Sequence, residues 1–145
     1  QVSTMFSNGN NTIAKTYINI RVDSGNLIFE RTAQANDASN GSVSVSESTY
    51  LSTANSVHLA GTYNGSDNLS FYVNGNLVGS KTLVAGNGTD NVSEGSAIGA
   101  NFIAGAGKQS SIIDDVSIFS RVLTVAEIRS ISGASKIRGM GITRW

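Results

Sequence analysis

An antiparallel β-sandwich of the jelly-roll kind is the fold class this sequence predicts, and three observations carry it. Short runs of residues alternate between apolar and polar, which is the period of a half-buried strand. Clusters of Asn, Asp, Ser and Gly separate those runs at close spacing. Only one stretch, near the C-terminus, carries the marks of a helix. Many short strands with frequent turns and a single helix belong to the two-sheet architectures, and 145 residues are the size of one domain.

The elements follow in chain order. In "YINIRV" at 17–22, Ile18, Ile20 and Val22 fall on one face and Tyr17, Asn19 and Arg21 on the other. "DSGN" at 23–26 turns the chain into "LIFE". "SVSVSES" at 42–48 places Val43 and Val45 between serines, a strand with one wet face. "VHLAGTY" at 57–63 and "LSFYV" at 69–73 flank the turn formers "NGSDN". The second of these strands continues through Asn74-Gly75 into "NLVG". Asn-Gly is the favoured two-residue type I′ turn, because both positions need positive φ. The resulting register sets Val73 against Asn76, Tyr72 against Leu77 and Phe71 against Val78, with apolar pairs on both faces. One face belongs to the core. The other fills the concavity of a curved sheet or is covered by loops, another chain or a ligand. Residues 85–95 and 100–110 read as polar or Gly-rich loops. Thr124 and Glu127 form a capping box at the head of "VAEIRSI", the one helix expected.

Composition excludes several classes of function. Net charge is zero and charged residues make up 14% of the chain, so there is no electrostatic case for nucleic acid or an anionic membrane as partner. There is no cysteine, which removes disulfides, thiolate zinc sites and a Cys nucleophile. No apolar run approaches the roughly 20 residues of a membrane span, and no signal-peptide pattern is present. Gln at position 1 marks a processed chain or part of a longer one. Six sequons, beginning at Asn10, Asn40, Asn64, Asn68, Asn87 and Asn91, are what a chain this rich in Asn, Ser and Thr makes by chance.

Three segments together, "VHLAGTYNGSDNLSFYVNGNLVG" at 57–79, "IGA" at 98–100 and "IIDDVSIFSRVLTVAEIRSI" at 112–131, resemble the laminin-G-like branch of the concanavalin A-like lectin and glucanase jelly rolls. That family shows a His-Val-Ala-type strand, a Tyr-(Asp/Asn)-Gly turn, a Tyr-Val-Asn-Gly hairpin, an Ile-Asp-Asp-Val strand and a closing Arg-x-Leu-(Ser/Thr)-x-x-Glu-Ile helix. Ser56 stands where relatives often carry Trp, and Gln109-Ser110-Ser111 replaces a common Phe-x-Gly. The resemblance implies a jelly-roll domain over 1–133 and a tail or arm over 134–145. It also implies that strands ordinarily ahead of residues 5–15 pair beside the Ile-Asp-Asp-Val strand. Completion of the sandwich is therefore expected from an upstream segment, a neighbouring copy, or the chain's own tail, whose Ile137, Met140, Ile142 and Trp145 need burial.

Glycosidases on this fold carry an alternating Glu-x-Asp-x-(x)-Glu strand, since the two carboxylates of a retaining enzyme sit about 5 Å apart. No segment matches it, and adjacent Asp114 and Asp115 on a strand point to opposite faces. His58 has no Ser or Cys partner at a recognisable motif, and reads as a half-buried strand histidine with a satisfied ring nitrogen. The chain is read as non-enzymatic. Asp114 shares the expected core face of Ile112, Val116 and Ile118, where a carboxylate requires backbone amides or a cation. The resemblance makes structural calcium one of those two readings, with no other cofactor. It also implies a non-catalytic carbohydrate-binding or adhesion module, with Tyr63 and Tyr72 to stack on sugar rings and Asn64 and Asp67 to hydrogen-bond them. The alternative is a structural or assembly protein, such as a virion decoration, tail or filament domain. Both place the chain outside the cell, on a cell surface or on a virion.

Overall fold

In the computed structural model, the described residues are 2–8, 17–32, 40–51, 56–84, 96–99 and 112–139. They build two antiparallel sheets. The five-stranded sheet has the order β4-β3-β2-β1-β8, from β1 (Val2–Asn8), β2 (Tyr17–Asp23), β3 (Asn26–Thr32), β4 (Gly41–Ser46) and β8 (Ser96–Ile98). The three-stranded sheet has the order β5-β6-β7, from β5 (Leu59–Tyr63), β6 (Asn68–Val73) and β7 (Asn76–Thr82). One turn of helix, α1 (Glu47–Tyr50), follows β4, where the alternating serines had suggested strand to residue 48. The long helix α2 (Val125–Gly139) closes the described chain.

The hairpins arise from local chemistry. Asp23 pairs with Asn26 across a two-residue turn, and Val73 with Asn76 across another. Both central positions are left-handed in each turn: φ is 51° at Ser24 and 78° at Gly25, 51° at Asn74 and 77° at Gly75. The second hairpin departs from the expected register one step further on. Tyr72 faces Leu77 as expected, but a bulge sets Phe71 opposite Gly79 and leaves Val78 as the extra residue. Val78 packs against the core.

The inward alternation of the strands makes that core. Leu27 and Phe29 of β3, Val43 of β4, Leu69 and Phe71 of β6, and Leu83 are buried together. The Phe29 and Phe71 rings stack at 5.9 Å between centroids across the two sheets. Ile18, Ile20 and Val22 lie against this cluster, so Asn19 and Arg21 take the opposite face. There Arg21 donates to both Glu30 oxygens, at 3.0 and 3.2 Å, and to Asp23 at 2.5 Å. The three-stranded sheet packs chiefly over β3 and β4.

One expectation about the sheets is corrected. Residues 112–119 form no strand, and Ile112, Val116 and Ile118 are exposed. The physical break is Asp115, whose φ of 52° interrupts the extended backbone that the alternation requires. α2 continues through Gly139, past residue 134 where the tail or arm was expected to begin. Residues 140–145 and the loops expected at 85–95 and 100–110 lie outside the described residues.

Candidate functional site

The turn between β5 and β6 gathers three of the four residues read as ligand-binding. Tyr63 ends β5, and Asn64, Ser66 and Asp67 follow it in an exposed loop. The Asn64 carboxamide organises that loop. Its Oδ1 accepts from the backbone amides of Ser66, Asp67 and Asn68 at 3.0, 2.9 and 3.0 Å. Its Nδ2 donates to Asp67 Oδ1 at 2.8 Å. An Asn side chain standing in for a backbone carbonyl is the local reason this sequence turns here.

Asp67 is held in the ionised form. Its carboxyl lies below the ordinary carboxylate range, first because Asn64 donates to it and second because Ser66 does. The loop therefore presents a fixed, exposed acceptor just past the end of β5, where the half-buried Tyr63 packs against the core. One face of the Tyr63 ring is engaged: the Arg31 guanidinium sits 5.0 Å from its centroid. Arg31 is 2% exposed. Sequence reasoning passed over Arg31, although Leu27, Phe29 and Arg31 alternate on one face of β3 and so place a cation on the core side.

Tyr72 does not join this group. It pairs with Ala60, whereas Tyr63 pairs with Leu69. Three residues of strand, about 10 Å, separate the two positions along the sheet. Tyr72 is also buried, at 7% exposure, and leaves its partner Leu77 at 53%. The outer side of the hairpin is thus covered over the tyrosine and open over the leucine.

Asp114 is exposed, and its Oδ1 accepts the Asp115 amide at 2.9 Å. The charge expected on a buried face is open to solvent. Among the described residues no group of three His, Cys, Asp or Glu side chains comes together. His58 lies just ahead of β5 and is half-buried as expected, with its Nδ1 lacking a hydrogen-bond partner. Burial pushes its pKa below the ordinary value, so the ring is neutral at pH 7. Its backbone is what the fold uses: the His58 amide donates to Asn74 Oδ1 at 3.1 Å, and the Asn74 amide donates to the His58 carbonyl at 2.8 Å.

The capping box at α2 is formed as read. Glu127 Oε2 accepts from the Thr124 amide at 2.8 Å, and the Glu127 amide donates to Thr124 Oγ1 at 3.3 Å. Arg121 adds a two-pronged ion pair to Glu127 at 3.0 and 2.6 Å. The helix so capped lies against the hairpin tip at Gly75, and its Ile128 and Ser132 are buried.

No curated protein matches the chain, and no solved structure matches it. A family model does, over residues 1–129, and its description is the concanavalin A-like lectin/glucanases superfamily. The two antiparallel sheets, the stacked phenylalanines between them and the capped closing helix agree with that match. The chain belongs to the concanavalin A-like lectin/glucanase superfamily.

Proposed function

We propose that this chain is a non-catalytic carbohydrate-binding module of an extracellular or surface-exposed protein, and that it reads sugar hydroxyls with the β5–β6 turn. The observation that carries the reading is the Asn64-ordered loop. It holds the ionised Asp67 carboxylate, an acceptor for hydroxyl protons, in an exposed turn that follows directly on the half-buried Tyr63 at the end of β5. Membership of a lectin and glucanase superfamily supports it. A fold alone assigns no activity, so the weight rests on these side chains. The low-charge surface, rich in Ser and Asn, is compatible with an exposed location. No paired carboxylates at glycosidase spacing occur in the sequence, and for that reason the proposal is binding without turnover.

A shallow loop site implies dissociation constants in the millimolar to micromolar range, roughly 4 to 8 kcal/mol. A glycan array followed by calorimetry on the best ligand tests the reading. Binding by the parent chain that is lost in Asp67→Ala and weakened in Tyr63→Ala is the expected result. Binding unaffected by either change, absence of binding across the array, or hydrolysis of a β-glucan overturns it.

A further inference from the structure

We propose that Asn64 is a self-modification site: the Gly65 amide nitrogen closes on the Asn64 side chain, ammonia is expelled, and water opens the resulting cyclic imide. The chemistry does not depend on what the β5–β6 turn binds. Asn followed by Gly is the pair that allows it, because glycine puts no side chain in the way of its own nitrogen. The chain has five such pairs, beginning at residues 8, 40, 64, 74 and 87. Those at 40, 64 and 74 lie wholly within the described residues, and the fold treats the three differently.

Two of them are locked. Gly75 is buried against Arg129 of α2. Asn74 is tied to His58 through both its amide and its Oδ1, so closing a ring there means undoing the left-handed turn. Gly41 opens β4, pairs with Arg31 and lies against the Leu83 side chain. By contrast Asn64 and Gly65 are both exposed, and nothing stands within 4 Å of a β-carbon position on Gly65. Solvent reaches this pair, and the intermediate has room.

The hydrogen bonds of Asn64 suit the step rather than oppose it. Three backbone amides, of Ser66, Asp67 and Asn68, donate to Oδ1, and Oδ1 stays on Cγ throughout. When the Gly65 nitrogen bonds to Cγ, its proton goes to a solvent base and negative charge develops on Oδ1, at which the three donors are already aimed. Collapse of that intermediate breaks the bond from Cγ to Nδ2. Nδ2 gives up its hydrogen bond to Asp67, takes a proton from solvent and leaves as ammonia. Water then adds to one of the two imide carbonyls. Cleavage at Cγ leaves an aspartyl residue at position 64, and cleavage at the other carbonyl leaves an isoaspartyl one. Nothing is oxidised or reduced. Either product adds a negative charge to the loop and removes the donor that faces Asp67.

The test is incubation of the folded chain at mildly alkaline pH in isotope-labelled water, then digestion and mass spectrometry of the peptides holding residues 40, 64 and 74. A parallel sample is kept in urea. Conversion at Asn64 is expected to run at least about tenfold faster than at Asn40 or Asn74, to give both aspartyl and isoaspartyl products, and to incorporate solvent oxygen. In urea the three rates should converge. An unconverted Asn64, or one no faster than Asn74, overturns the proposal. So does aspartyl without isoaspartyl, which would mean direct hydrolysis, or a preference for Asn64 that persists in urea, which would take the fold out of the cause.

Discussion

Gly75, at the tip of the β6–β7 hairpin, lies directly against Arg129 of α2: a β-carbon at Gly75 would stand 3.1 Å from the Arg129 Cα. The same glycine has φ of +77°. Turn and helix therefore impose two separate demands on one residue.

Gly75→Ala tests both demands, and Gly25→Ala separates them. Gly25 has nearly the same backbone conformation, φ +78°, but nothing within 4 Å of a β-carbon. Gly25→Ala should lose only the backbone term, about 1–2 kcal/mol. Gly75→Ala should lose a further 1–3 kcal/mol or so from overpacking against α2. Urea titrations of the two variants check this, and equal losses would show that the helix yields freely.

Asn74 also serves twice, through its left-handed backbone and through the side-chain bond to His58. Asn74→Gly keeps the first and removes the second, with an expected loss of about 0.5–1.5 kcal/mol. Asn74→Ala removes both and should be about 1–2 kcal/mol worse than the glycine variant. Thermal melts of the pair decide it; alanine equal to glycine would mean that the turn is not the left-handed type.

Gly61 on β5 faces the Phe29 ring so closely that a β-carbon there would collide with it. Gly61→Ala should cost about 1–3 kcal/mol in the parent. In a Phe29→Leu background the crowding is relieved, and the same change should cost less. A double-mutant cycle measures the coupling; strict additivity would remove the ring as the cause.

The α2 cap should fail in acid. Glu127 is lowered from 4.5 to about 2, chiefly by Arg121 and then by the Thr124 amide and hydroxyl. A carboxylate whose folded pKa is depressed contributes stability that is complete above the unfolded value and lost as pH falls through the folded one. The contribution should be constant above about pH 5 and decline from about 4.5 toward 2. Compared with Glu127→Gln, the parent should melt higher at neutral pH, with the gap closing near pH 2. A gap that widens on acidification would contradict the cap.

What could be read from the chain was whatever neighbouring residues decide. Asn-Gly at 74–75 and Thr124 with Glu127 are complete signals within two to four positions, and both formed. Ile18, Ile20 and Val22 faced the core because alternation alone sorts a strand. Asp114 was misplaced because one left-handed residue, Asp115, cancels the alternation on either side, and nothing in "IDDV" marks it. The bulge at Val78 and the burial of Arg31 over Tyr63 depend on the opposite sheet, which no local pattern contains. In the candidate site, Asn64 and Asp67 were legible as a polar turn. The separation of Tyr72 from them followed only from strand pairing.

The pairing of β1 with β8, which joins Phe6 to Ile98, has a kinetic consequence. The runs β2–β3–β4 and β5–β6–β7 each pair successive strands and close small loops, so they can form early in folding. Joining β8 to β1 must wait for the chain between them to be gathered in, and the entropy of that closure is spent before any contact repays it. Refolding should therefore fall in the millisecond-to-second range of sheet proteins rich in distant contacts. Amides of β8 should gain protection from hydrogen exchange after those of the β6–β7 hairpin.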